Sequence, residues 1–360
     1  MGNPTVNLLG IPQGDLERMF VDMGEKPFRA RQVMKWLYGR SVIELDRMTN
    51  LSAALRQELS ARVHIGLPEI QAREDAADGV VKWRLEAGGG QAVETVFIPE
   101  DGRGTLCVSS QIGCAMDCPF CATGRQGFNR NLAAAEIIGQ VLIAGRELGA
   151  RRISNVVFMG MGEPLANLRA VVQAADILVD NLGFGLSRRR VTVSTAGLVP
   201  QIRRLAALSN VALAVSLHAP NDALRNELVP INRRHPIAEL LEVCWEYADA
   251  TRSKDITFEY VMLADVNDSE MHARQLAKLL TRRPAKINLI PFNAFPGADY
   301  RRSSAETVDR FRQVLLRAGI MTITRKTRGD DISAACGQLA GRVNNRVRVP
   351  LGTRMHQSGA

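Results

Sequence analysis

The chain has 360 residues, 46% hydrophobic and 23% charged, a balance ordinary for a folded globular protein that excludes bulk disorder. No apolar run approaches the roughly 18–20 residues of a membrane span, and the N-terminal segment 1–6 lacks the basic and apolar stretches of a signal peptide. The net charge of +9 is concentrated in residues 281–360, which hold fifteen Lys/Arg against five Asp/Glu, an excess that favours a polyanionic partner, nucleic acid first.

Residues 1–65 are expected to form a small helical domain. Leu16, Met19, Phe20 and Met23 recur at helical spacing, as do Phe28, Val33, Met34 and Leu37, and a third stretch runs over 51–63. Trp36, Tyr38 and several Lys/Arg decorate the second stretch, a mixture that suits either RNA contact or a plain solvated face. Residues 66–103 read as a β-rich linker. Val80–Leu85 and Ala92–Ile98 are strand-like, with Gly88–Gly90 as a turn between them.

From 104 to 335 strands and helices alternate. Strands are predicted at Thr105–Ser109, Ser154–Met159, Arg190–Thr195, Val211–Leu217, Ile256–Met262, Ile287–Pro291 and Met321–Thr324. Helices are predicted at Leu132–Leu148, Leu168–Asn181, Ile237–Ala250, Met271–Leu280 and Ala305–Ala318. This alternation implies an α/β fold of parallel strands with right-handed crossovers, either a doubly wound sheet or a partial barrel. Residues 336–360 are expected to be a loop followed by a basic tail, with Arg342, Arg346, Arg348 and Arg354.

The most informative segment is Cys114-x3-Cys118-x2-Cys121. Three thiolates on one loop suit a [4Fe–4S] cluster whose fourth iron is left open for a ligand. A structural zinc with a distant fourth ligand is the alternative, but such sites usually arrive as two ligand pairs, and no second pair is present. Six cysteines with three clustered do not read as a disulfide framework, so a reducing, cytoplasmic setting is expected. Gly160-Met161-Gly162-Glu163-Pro164 follows the next strand, where glycines admit a ligand and a carboxylate can accept from an ammonium group. Ser194, Ser216, His218 and Asn293 lie at further strand ends, the working edge of such folds.

These features together resemble the radical S-adenosylmethionine (SAM) enzymes. More narrowly, Thr105–Gln111, Gly127–Leu132, Met159–Leu165 and Arg325–Ile332 are similar to the bacterial dual-specificity ribosomal RNA and transfer RNA adenine-C2 methyltransferases. The resemblance covers nearly the whole chain. It implies a partial (β/α)6 TIM-like barrel, with the first 65 residues as a helix-hairpin-like RNA-gripping domain. It further implies that Cys114, Cys118 and Cys121 hold one cluster, and that SAM is held by Gly162, Glu163, Ser194, Ser216, Leu217, His218 and Asn293. Cys336 would accept the methyl group, Cys107 would resolve it through a transient disulfide, and Glu94 would take a proton. The implied partners are 23S rRNA, at an adenine of the peptidyl-transferase region, and tRNA, at the adenine 3′ to some anticodons. An electron donor such as flavodoxin and a monomeric, membrane-free enzyme are also expected.

C2 of adenine is an electron-poor aromatic carbon and does not attack a sulfonium methyl, so the resemblance implies two SAM per turnover. One methylates Cys336; the other, reduced at the cluster, activates that methyl for radical addition to C2. Taken without the resemblance, Cys107 on a core strand reads as a small buried hydrophobe, whereas Cys336, in a Gly/Asp-rich loop, reads as a flexible reactive thiol. Cys244 reads as core. Arg325, Lys326 and Arg328 read equally as phosphate contacts or as ordinary surface charge. The rivals are a C8-specific 23S rRNA adenine methyltransferase conferring antibiotic resistance, and a non-enzymatic RNA-binding protein with a structural metal.

Overall fold

The computed structural model describes residues 6–149, 153–251, 255–281, 283–344 and 346. The tail, with Arg348 and Arg354, lies outside the described residues, as does Arg282.

In the N-terminal part, β1 (Val6–Asn7) pairs in parallel with β2 (Val63–His64) around α1 (Gln13–Asp22), α2 (Phe28–Met34) and α3 (Ala53–Arg62). The apolar spacing read from the sequence becomes a buried face. Leu16 and Phe20 of α1, Val33 and Met34 of α2 and Leu37 just beyond it are all fully or almost fully covered. Ser52 caps α3 by accepting from the Leu55 N–H at 3.2 Å, which satisfies one of the donors left free at a helix start. Tyr38 braces this unit by donating from its hydroxyl to the Leu9 carbonyl at 2.9 Å, and its ring, 5.3 Å from that of Phe184, fastens the unit to the barrel.

β3 (Ile70–Asp75), β4 (Val81–Glu86), β5 (Ala92–Glu100) and β6 (Arg103–Cys107) follow as an antiparallel meander. A short hairpin of β7 (Gln111–Gly113) and β8 (Phe128–Asn131), with α4 (Ala122–Gln126) between them, rises beyond the end of β6. Then come α5 (Ala134–Leu148), β9 (Asn155–Phe158), α6 (Leu168–Val179), β10 (Val191–Thr195), α7 (Val199–Leu208), β11 (Ala212–Ser216), α8 (Asp222–Leu228) and α9 (Ile237–Thr251). β12 (Ile256–Met262), α10 (Glu270–Leu280), β13 (Ala285–Pro291), α11 (Ala305–Arg317) and β14 (Met321–Thr324) complete the described fold.

One sheet takes ten of these strands in the order β14-β13-β12-β11-β10-β9-β6-β5-β4-β3. All pairings from β6 to β14 are parallel. The core is therefore six strand–helix units and a seventh strand, open between β14 and β3, which is the expected partial barrel rather than a closed one. The segment expected as a β linker is hydrogen-bonded into this same sheet as an antiparallel extension. The strand expected at Thr105–Ser109 sits two residues earlier, because Ser109 leaves the ladder. Its N–H donates to Gln140 Oε1 at 2.8 Å and its hydroxyl to the Glu94 carbonyl at 2.5 Å.

A contiguous apolar cluster runs from Leu8 through the barrel to Leu339 and includes Cys244 at 0% exposure. A second, smaller cluster contains Met116, Leu228, Ile231, Val261, Leu263 and Phe292, with Cys114, Cys118 and Phe120 packed against it. It forms a dry floor beneath the cysteine loop. No helix among the described residues is long and apolar enough to cross a membrane.

Candidate active site

The cysteine loop links β7 to α4, beyond the carboxyl end of β6. Gly113, at φ +73°, anchors its start; a Cβ there would stand 1.9 Å from the Gly127 carbonyl oxygen, so only glycine fits. The Cys114 N–H donates to that same oxygen at 2.8 Å. Asp117 turns the loop with a φ of +54°, and the Cys121 N–H closes it on the Cys118 carbonyl at 3.1 Å.

All three thiols border a cavity of about 180 Å³ that also meets Gly162, Glu163, Ser194, Ser216, His218, Asn293 and Cys336. Burial pushes the pKa of each of the three thiols up, and the neighbouring thiols push Cys118 and Cys114 further. The thiolate forms that bind iron are thus favoured when a cationic group fills the cavity. Sulfur donors on a dry apolar floor fit an iron–sulfur cluster.

Gly162 approaches Gln111 so closely that a Cβ would lie 2.5 Å from the Gln111 Cβ, and its φ is +99°. Gln111 Oε1 accepts from the Glu163 N–H at 2.8 Å. The Glu163 carboxylate accepts from the N–H groups of Leu165 at 3.0 Å and Ala196 at 2.7 Å. Burial outweighs these bonds and pushes its pKa up to about 7. An ammonium group seated beside it would restore the anion.

His218 occupies a left-handed conformation at φ +57°, edge-on to Phe120 at 4.8 Å. Its Nδ1 accepts from the Val261 N–H at 3.0 Å, so the remaining proton is on Nε2. Burial, with the Arg225 charge, pulls its pKa down to about 3, which keeps the ring neutral. Leu217 is fully buried in the apolar core, and its N–H donates to the Glu259 carbonyl at 3.1 Å.

Cys336 is exposed, yet its loop is pinned rather than flexible, contrary to the expectation from its composition. Asn293 Nδ2 donates to the Cys336 carbonyl at 3.2 Å, and the Ala122 N–H to the Gly337 carbonyl at 2.8 Å. Thr123 Oγ1 donates to the Leu339 carbonyl at 2.6 Å. Ala92 and Arg342 exchange backbone bonds at 3.0 and 2.9 Å. The composition gave no hint of these long-range partners.

Cys107, at the end of β6, is half-buried. Burial first, then the neighbouring Cys336 sulfur, pushes its pKa up to about 12. Glu94 on β5 is 7% exposed, with Lys82 Nζ 3.9 Å from its carboxylate. Neither Cys107, Glu94 nor Leu217 borders the small cavity itself.

Two further groups belong to the site. Arg325 borders both the small cavity and the barrel lumen, a space of about 860 Å³ that Cys336 also borders. Arg328, tied to Asp78 at 2.7 Å, and the exposed Lys326 border the lumen but not the small cavity. Arg225 is fully buried and donates to the carbonyls of Leu217, Ala196 and Ser216 at 3.1, 2.6 and 2.9 Å, and to Asn232 Oδ1 at 2.8 Å. It ties the ends of β10 and β11 together. In the sequence Arg225 looks like an ordinary charge, and Arg325 like a phosphate contact or surface charge, because the neighbours that turn each inward come from distant segments.

Comparison with known proteins agrees with this geometry. Residues 108–277 match the radical SAM superfamily and residues 6–65 the N-terminal domain of ribosomal RNA large subunit methyltransferases. A radical SAM methyltransferase structure from Sphaerobacter thermophilus is 43% identical, with a TM-score of 0.87 over 93% of this chain and 99% of that one. Fold and site thus define a radical SAM methyltransferase. The Alkalilimnicola ehrlichii dual-specificity RNA methyltransferase RlmN is 54% identical over 95% of this chain and 96% of its own length. The chain belongs to that family of dual-specificity RNA methyltransferases.

Proposed function

We propose that the protein methylates C2 of a specific adenine in 23S rRNA and of the adenine 3′ to the anticodon in some tRNAs. The observation that carries this reading is the shared cavity, which sets the three cluster cysteines and Cys336 around one space. The reading includes one [4Fe–4S] cluster held by Cys114, Cys118 and Cys121, a cytoplasmic monomer and an external reductant such as flavodoxin. It also divides the chain at 65, 103 and 335 into an RNA-gripping helical domain, a β extension, the barrel and the loop that bears Cys336.

When bound, the cluster and SAM together supply a one-electron cleavage that makes an unreactive C–H accessible. The protein's own residues do the rest. Gly162 gives the backbone room, Glu163 takes the SAM ammonium, and Ser194, Ser216, Leu217, His218 and Asn293 line the remainder. Cys336, as thiolate, accepts a methyl group by displacement. Glu94 takes the proton lost from C2. Cys107, as thiolate, then attacks the Cys336 sulfur and breaks its bond to the bridging carbon; that carbon leaves with the electron pair and takes up a proton, so the base is freed with its methyl group and a Cys107–Cys336 disulfide remains, which an external dithiol reduces with two electrons and two protons.

Digestion of RNA from the reaction and comparison with 2-methyl and 8-methyl adenosine standards tests the reading. The expected product is 2-methyladenosine, and an 8-methyl product overturns the C2 assignment. The protein purified without oxygen is expected to be brown, with about four irons per chain; a colourless zinc protein overturns the cluster.

A further inference from the structure

Lys82 of β4 carries a charge where packing does not call for one. Val81, Trp83 and Leu85 beside it in the strand are 0% exposed and face the apolar core, and Lys82 on the other face is itself 6% exposed. Its Nζ donates to the Ile332 carbonyl at 2.5 Å and lies 3.2 Å from Glu74 and 3.9 Å from Glu94. Among the described residues Glu94 has no other ion-pair partner. Replacing a buried charge by an apolar side chain of similar size is often neutral or stabilising, so this ammonium is explained by what it touches rather than by the space it fills. Across the strands Glu74 stands opposite Lys82, Arg84 opposite Glu94 and Cys107 opposite Val96. Opposed residues share a face of the sheet, so these charged and titratable groups lie together on the face of Glu94. The loop packed against that face adds Asp330, Asp331, Cys336 and Arg342, while Arg328 is already tied to Asp78.

Two opposite charges on adjacent strands thus hold the two ends of the loop that bears Cys336. Lys82 takes the Ile332 carbonyl before that cysteine, and Glu94 takes the Ala340 N–H after it. Lys82 therefore meets both the proton acceptor and the segment that carries the reacting sulfur. An ammonium at this range favours the carboxylate form of an acid, which is the form able to accept a proton. We propose that Lys82 is a positioning residue for the proton transfer from adenine C2, its ammonium holding Glu94 as a charged acceptor against the Cys336 loop. The proton passes from C2 to a Glu94 oxygen, its bonding pair stays on the adenine ring, and Lys82 keeps its own three protons. The inference rests on the reading of Glu94 as the proton acceptor, and the test separates the two.

The test uses the full chain reconstituted anaerobically with its cluster, SAM, a reductant and an rRNA fragment tritiated at adenine C2. In Cys107→Ala the RNA stays on Cys336, so tritium passing into water reports the proton transfer without the release step. Adding Lys82→Met is expected to leave the iron content and the amount of adduct unchanged. Tritium release per adduct is expected to slow by roughly tenfold or more on the rising limb of its pH profile, with the midpoint moved up by roughly 1–3 pH units. Lys82→Arg, which keeps the charge, is expected to recover most of the rate. The proposal is overturned if Lys82→Met releases tritium as its parent does, if adduct and tritium fall together with the midpoint unmoved, or if Lys82→Arg is no better than Lys82→Met. Should Lys82→Met fail to fold, Lys82→Gln, whose amide can still donate to Ile332, takes its place with the same outcomes for and against. If Glu94→Gln leaves tritium release unchanged, the acceptor reading fails and this inference with it; if Glu94→Gln stops the release and Lys82→Met does not slow it, this inference alone fails.

Discussion

Glu94 Oε2 accepts the Ala340 backbone N–H at 3.0 Å. A strand of the antiparallel extension thus holds the loop that carries Cys336, across 246 residues of chain. The same carboxylate has Lys82 3.9 Å away. A group proposed as a proton acceptor and a group that fixes the reactive loop are therefore one side chain.

These two roles separate in Glu94→Gln. The amide oxygen can still accept from Ala340, but it cannot take a proton at neutral pH. Methylated product is expected to fall by roughly 10²–10⁴-fold, with RNA accumulating covalently on Cys336, visible as a shifted band on a denaturing gel. Product release at the wild-type rate would rule out the proton-acceptor role.

Cys107→Ala is expected to trap RNA on the enzyme by removing the thiol that attacks Cys336. The wild-type protein offers a second readout. With the Cys107 pKa pushed up to about 12, the thiolate fraction grows roughly tenfold per pH unit between pH 7 and 9. The release step, followed by quenched single-turnover reactions, is expected to accelerate accordingly. A release rate that does not change with pH contradicts attack by this buried thiol.

Buried Glu163 gives the cluster-free chain a pH dependence. Its folded pKa of about 7 lies above the ordinary 4.5, so between those values the folded state binds more protons than the unfolded chain. Stability is then greatest below pH 4.5 and falls as pH rises to 7, by roughly 3 kcal/mol from this group. Urea titrations at pH 5 and pH 8 are expected to show a smaller difference in Glu163→Gln than in the wild-type chain. Equal differences would mean that the carboxyl is ionised throughout.

The parts of this protein legible in the sequence are those governed by local chemistry. β12 and β14 occupy the residues predicted for them, because short apolar, β-branched runs bounded by turn residues have few other places to go. The β7–β8 hairpin is too short to carry a period, and α7, with Pro200 in its first turn, is only ten residues long. The cluster cysteines and Gly162–Glu163 are visible because their spacing is itself the chemistry. Lys82, Arg225 and the inward turn of Arg325 are not. Each is a single charge whose meaning comes from neighbours supplied by distant segments.

Arg225 carries the largest expected effect on stability. It is fully buried, it makes no ion pair among the described residues, and its charge is met by three backbone carbonyls and Asn232. Burial pulls its pKa down to about 10, which still leaves it charged at neutral pH. Arg225→Met removes all four hydrogen bonds and strands the carbonyls of Ala196, Ser216 and Leu217 in a dry interior. A loss of roughly 3–5 kcal/mol is expected in urea denaturation of the holoprotein. Arg225→Lys should recover only part of it, since one ammonium cannot span the ends of both β10 and β11. SAM affinity is expected to fall in both variants, because those two strand ends carry Ser194 and Ser216. A loss below about 1 kcal/mol for Arg225→Met, with SAM binding intact, would show that the two strand ends keep their positions without the guanidinium.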